Sequence, residues 1–285
     1  QERFTLNVNY FHVVFTIPNE LNVLCLMDPK FMYRALFTVS AETIKELSKD
    51  KKYLGAKIGF TSVLHTWGQN LSLHPHIHMI VPGGGIDSNG KWKSSKKKFF
   101  LPVKVVSKLF KGKFLSYTKK NFDQRKIKDE EQFQNIIDAC YSKNWVVYTK
   151  KPMKSAKHVV KYLGRYTHRI AISNARIKKY EDNKVTFSYK DYSDHNKIKE
   201  MTLEDTEFFR RYMMHVLPSN FMKIRHYGFL GNRNKEERIQ AIRTATNTKD
   251  PGPFLIDYEQ IISDILKRDV SICIKCGQKR HRQLE

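Results

Sequence analysis

Three histidines alternate along His74-Pro75-His76-Ile77-His78, and two tyrosines, Tyr162 and Tyr166, stand four residues apart. On a strand, side chains two apart share a face, so the three imidazoles would point one way while Ile77 and Met79 point into a core. Such a row is a candidate seat for a divalent transition metal, or for Mg²⁺ or Mn²⁺ held between imidazoles and phosphate oxygens. His65, a little upstream, is a further candidate ligand. On a helix, residues four apart stack on one side with Cβ atoms roughly 5–6 Å from each other. His158, Arg165 and Arg169 would join the tyrosines on that side. Between Lys150 and Lys179 there are ten Lys or Arg and no acid, a field that favours both a phenolate and a bound phosphate. A tyrosine, with an ordinary pKa of about 10, needs such neighbours or a metal to become a nucleophile. Taken singly, each pattern has a plain structural explanation: histidines hydrogen-bonded in a polar sheet face, and an aromatic pair packed on a core. Together they supply what phosphoryl transfer to tyrosine requires, a polarised phosphate and a nearby nucleophile.

These side chains need elements to hold them. Tyr10 to Pro18 alternates and is rich in aromatic and β-branched residues, which predicts a strand stopped by Pro18. Pro29 to Leu47 reads as helix. Ala56 to Trp67 and Leu73 to Val81 read as two strands joined by Gly68-Gln69-Asn70 and followed by a loop, Pro82-Gly83-Gly84-Gly85. Trp145 to Tyr148 predicts a strand, Ser155 to about Thr167 a helix carrying the tyrosines, and Ile170 to Ile177 with Lys184 to Tyr189 a further strand pair around Asp182-Asn183. Beyond about Glu200 the pattern turns helical, so the expected division is a catalytic domain over 1–200 and a mainly helical accessory segment over 201–285.

Charge narrows the partner. The chain of 285 residues carries 52 Lys+Arg against 28 Asp+Glu, a formal +24 that exceeds what solubility needs and points to a polyanion, nucleic acid first. From Lys91 to Lys128 fourteen Lys or Arg alternate with Trp92, Phe99, Phe100, Phe110, Phe114, Tyr117 and Phe122, against one acid, Asp123. Phosphate contact and base stacking on single-stranded DNA is the expectation for that stretch, with Lys96, Lys97 and Lys98 as candidate contacts. The one long uncharged run, Ile58 to Ile86, holds four histidines, two prolines and a glycine triplet, which excludes a membrane span. No signal peptide is evident, and a start at Gln1 without methionine suggests a piece of a longer reading frame. Four cysteines, with Cys25 and Cys140 isolated, suit a reducing cytoplasm.

The stretch Trp67 to Gly85, with Tyr10-Phe11-His12-Val13-Val14-Phe15-Thr16 upstream and Tyr162-Leu163-Gly164-Arg165-Tyr166-Thr167-His168-Arg169 downstream, resembles the two-tyrosine transposases of the IS-ninety-one type. The resemblance spans about Asn9 to Tyr192. It implies an α+β fold of the HUH endonuclease kind, an antiparallel central sheet flanked by helices. The His-hydrophobic-His motif then falls on His76-Ile77-His78 and the nucleophile pair on Tyr162 and Tyr166. His65 is the first candidate for a third ligand and His74 the second. The implied activity is rolling-circle-like transposition, in which a tyrosine cuts one strand, keeps a 5′-phosphotyrosine and leaves a free 3′-OH. Mg²⁺ or Mn²⁺ is the implied cofactor and single-stranded DNA at transposon ends the implied partner, with no small-molecule cofactor and with a homodimer allowed for. A bacterial, nucleoid-associated location is what the resemblance implies. Arg165, Arg169 and Lys161 are candidate DNA contacts. Family members usually begin with a cysteine-rich zinc region, and none precedes Gln1 here. Cys273-x-x-Cys276-Gly277 with His281 offers half a zinc knuckle. Two rivals stand beside this reading: a non-catalytic nucleic-acid-binding remnant of such an enzyme, and a histidine-triad nucleotide hydrolase, which would use a histidine nucleophile and no tyrosine pair.

Overall fold

The structure is a computed structural model that describes residues 5–95, 100–127, 129–153, 164, 171–249, 258–272, 274 and 276–279. Two compact units divide the chain, residues 1–249 and 250–285. At the heart of the first lies a sheet of β1 (Tyr10–Thr16), β2 (Phe60–Trp67), β3 (Leu73–Pro82), β6 (Val147–Met153) and β10 (Ile224–Tyr227), in the order β10-β2-β3-β1-β6. Every neighbouring pair is antiparallel. The predicted α+β class with an antiparallel central sheet is the fold observed.

Period-two alternation sorts this sheet into two unlike faces. Phe11, Val13 and Phe15 of β1, Leu64 of β2, and Ile77, Met79 and Val81 of β3 all point one way and are buried in the main core. That core is closed by α2 (Pro29–Lys49) and α3 (Val103–Asn121), the short α1 (Asn22–Met27) preceding α2. The start of α2 is set locally: Asp28 accepts the Phe31 amide and Pro29 occupies the first turn, where its missing N–H costs nothing. α4 (Glu130–Ser142) begins on Asp129, which accepts the Glu131 amide, and adds Phe133, Ile137 and Cys140 to the same core.

Four of the aromatic residues of 91–128 are not available for base stacking. Phe110 and Phe114 are fully buried, and Phe100 and Phe122 nearly so. The helical period of α3 turns its rings inward and leaves Lys104, Lys108, Lys119 and Lys120 outside. α3 also packs on the sheet face opposite the histidines. The glycine stretch is likewise more ordered than the expected loop: β4 (Gly84–Ile86) pairs with β5 (Trp92–Ser94). A Cβ on Gly85 would sit 2.6 Å from the Lys57 carbonyl oxygen, so only glycine admits that approach.

The expected boundary near 200 falls inside a strand. β7 (Ile177–Glu181), β8 (Lys184–Asp191) and β9 (Lys197–Glu204) form a three-stranded meander, followed by α5 (Asp205–Met213). The turn Asp182-Asn183 is as predicted, with both residues at positive φ, but the first strand starts at Ile177 rather than Ile170. Residues 201–249 belong to the first unit because β10 hydrogen-bonds β2 at the edge of the central sheet, before α6 (Lys235–Ala245). Only four residues long, β10 carries too little alternation to be read as strand from sequence. The second unit contains α7 (Tyr258–Leu266). Among the described residues no helix is long and apolar enough to cross a membrane.

Candidate metal centre

The sheet face turned away from the main core carries His12 of β1, His65 of β2 and His74, His76 and His78 of β3. Strand register brings them together. His65 and His76 are direct partners in the β2–β3 ladder, and His78 lies opposite Val63. The rings of His65 and His78 are 4.5 Å apart, those of His76 and His78 4.8 Å, and those of His65 and His76 5.4 Å, all edge-on to one another. Ligand nitrogens of His65, His76 and His78 all lie within 4.8 Å of each other, and no other such group of three occurs among the described residues.

The hydrogen bonds orient the donors. His76 Nδ1 is 2.6 Å from the His74 carbonyl oxygen, which can only accept, so Nδ1 carries the proton and Nε2 keeps its lone pair. That Nε2 is 3.1 Å from His78 Nε2. Burial holds the His76 pKa down to about 4, so the ring is neutral and ligand-ready at neutral pH. Three converging imidazole nitrogens on a largely buried sheet face fit a borderline divalent cation well. His74, the second candidate for a third ligand, is placed beside that group rather than in it. Its ring sits 5.1 Å from His76 outside the group of three, and it is its carbonyl that fixes the His76 tautomer.

Two neighbours extend the site. His12 Nε2 lies 2.8 Å from His78 Nδ1, a pairing that spacing along β1 does not signal, since His12 has no alternating partner on its own strand. Trp67 stacks on His65 at 4.6 Å, beside a β-bulge in the ladder, with the Lys223 ammonium 5.0 Å from the indole centre.

The tip of the histidine hairpin is clamped from the meander side. Arg176 donates to the Gln69 carbonyl, Arg211 to Asn70 at 3.3 Å, and His215 Nε2 to Leu71 at 3.1 Å. Leu71 is fully buried at φ 62°, a left-handed conformation that a non-glycine residue keeps only when its surroundings enforce it. His215 is buried as well, its pKa lowered by that burial, and its Nδ1 faces the Thr66 hydroxyl at 3.3 Å.

Tyr162, Tyr166, Lys161, Arg165, Arg169, Lys96, Lys97, Lys98 and Cys273 lie outside the described residues, as do His158 and His281. Cys276 is an exposed free thiol.

Residues 59–238 match the family Y2_Tnp, described as "Putative transposase". The chain is 40% identical over 287 residues to "Putative transposase y4qJ" of Sinorhizobium fredii (strain NBRC 101917 / NGR234), an alignment covering 96% of this chain and 72% of the relative. It is 29% identical over 274 residues to the "Transposase for insertion sequence element IS801" of Pseudomonas savastanoi pv. phaseolicola, covering 94% and 66%. Among solved structures, the chain in "Conjugative Relaxase TrwC in complex with OriT Dna. Metal-free structure." aligns with 82% of this chain and 71% of its own length, at 10% identity and a TM-score of 0.31.

Proposed function

The chain belongs to the Y2_Tnp transposase family, and from that premise we propose that it nicks and rejoins single-stranded DNA through a 5′-phosphotyrosine, at the ends of an insertion sequence. The observation that carries this reading is the convergence of His65, His76 and His78 on one sheet face. These three residues would hold a divalent cation, Mn²⁺ or Mg²⁺, of which the imidazole donor set favours Mn²⁺. When bound, such a cation supplies Lewis-acid polarisation of the scissile phosphate.

The rest is the work of the chain's own residues. Tyr162 or Tyr166 attacks phosphorus through its phenolic oxygen as the bond to the 3′ oxygen breaks. The phenolic proton ends, in net balance, on the departing 3′-OH. One phosphoester replaces another, so the bond energy is conserved and the reverse attack by a 3′-OH rejoins a strand. A second tyrosine four residues away allows a second strand to be held before the first is released. Arg165, Arg169 and Lys161 bind the negative backbone beside the nucleophiles, and the overall +24 charge draws the polyanion in. DNA as substrate agrees with the names of the relatives.

The experiment is incubation of the protein with single-stranded oligonucleotides of the element's ends and Mn²⁺, followed by denaturing electrophoresis. A protein-linked DNA adduct is expected, absent when Tyr162→Phe and Tyr166→Phe are combined. Binding without any adduct would make the chain a non-catalytic remnant instead.

A further inference from the structure

His12 lies upstream of the residues matched by the family, and its ring meets His78 on the side away from His76. The two rings are nearly coplanar, 14° apart, with centroids 5.1 Å from each other and nitrogens 2.8 Å apart. That centroid separation is the N···N distance plus a ring radius at each end, so this is an in-plane N–H···N bond rather than a face-to-face stack. At 3% exposure His12 is buried, in a part of the sheet where a misdirected ring nitrogen would be costly.

For neutral rings, two proton arrangements satisfy the described contacts of His12, His78 and His76. His76 Nε2 is an acceptor, because its Nδ1 proton goes to the His74 carbonyl. Without a cation, His78 therefore donates from Nε2 to His76, and its Nδ1 accepts from His12 Nε2. For His78 Nε2 to offer a lone pair to a cation, its proton must sit on Nδ1, and His12 Nε2 must turn from donor to acceptor, with its own proton on Nδ1. Each ring stays neutral throughout: every imidazole keeps one proton and only its position changes. We infer that His12 is a positioning residue that sets the tautomer of His78, reversing their shared hydrogen bond as the histidine cluster takes up its cation. This rests on the metal-centre reading above and extends it to β1. Outer partners of ligating histidines orient the ring and raise its basicity in this way.

The test uses the full chain with Zn²⁺ as a diamagnetic probe. Side-chain ¹⁵N–¹H correlation spectra should place the His78 proton on Nε2 in metal-free protein and on Nδ1 after Zn²⁺ addition. His12→Phe, which keeps ring volume and removes the nitrogens, should weaken Zn²⁺ binding about 10- to 100-fold by calorimetry. His12→Gln, whose amide oxygen can still accept from Nδ1–H, should recover most of that loss. Affinity within about twofold of wild type in His12→Phe, or an unchanged His78 tautomer on loading the wild type, overturns the inference. Should His12→Phe not fold, the wild-type spectra and His12→Gln decide alone. His76→Ala separates the two levels. If it abolishes Zn²⁺ binding while His12→Phe does not weaken it, only the role of His12 fails; if Zn²⁺ binding survives His76→Ala, the metal centre itself fails and the inference with it.

Discussion

His65 and His76 stand directly opposite each other in the β2–β3 ladder, with their rings 5.4 Å apart and nearly perpendicular. A one-residue slip of that register would send one of them to the core face, so the hairpin's pairing and the gathering of the histidine triad are one property.

Removing a ring from the triad should therefore cost far more than removing its neighbour. His76→Ala and His78→Ala are expected to lower adduct formation by about 10²-fold or more, the scale of losing a group that polarises the reacting phosphate. His74→Ala keeps the carbonyl that orients His76 and should have a small effect. Rate measurements on end-derived oligonucleotides with saturating Mn²⁺ check this; equal losses for His74→Ala and His76→Ala would contradict it.

Acid should destabilise the metal-free protein. Burial lowers the pKa of His74, His76, His215 and His226 in the folded state, so the unfolded chain takes up protons first as pH falls. Their contribution is level above the ordinary value near 6.5 and is lost below it, down to about 4 for His76. Melting temperature is expected to fall across that window, with a shallower fall in His76→Gln. A flat profile between those limits would refute the assignment.

The clamp on the hairpin tip should matter to both stability and binding. His215→Phe leaves the buried Leu71 carbonyl without its donor, at a cost of about 1–3 kcal/mol. Arg211→Ala removes a partly exposed hydrogen bond and should cost less. Chemical denaturation gives the first quantity, and Mn²⁺ titration of the folded variants shows whether a loosened tip also loosens the histidines.

On α3 the two kinds of residue should separate cleanly. Phe110→Ala opens the core and should cost about 3–5 kcal/mol. Lys104→Ala with Lys108→Ala should leave melting unchanged and make DNA binding less sensitive to salt, by about one unit of slope for each phosphate no longer neutralised. Lengthening the DNA should reveal these lysines more than shortening it, because they lie on the face opposite the histidines.

Much of the site was legible because strand geometry is simple. His76, Ile77, His78 and Met79 alternate between two faces as their spacing predicts, and His65 arrives beside them through a short turn. Less was legible where meaning depends on partners distant in sequence. The rings of α3 alternate with lysines in sequence, but only the helix and the sheet beneath it decide that the rings are core. His12 has no signature on its own strand; its role appears when β1 pairs with β3. His215 and Arg211 are ordinary residues until their side chains reach the carbonyls of Asn70 and Leu71.

The late position of β10 bears on synthesis. β2 and β3 leave the ribosome well before the strand that covers the open side of β2, which follows only after residue 223, about 8–30 seconds later at ordinary translation speeds. Through that interval the nascent chain exposes an unpaired backbone edge beside Phe60 and Val63, a template for pairing with other chains. The margin of the sheet is thus completed well after its centre, and nascent copies crowded on one messenger would meet while that edge is still open.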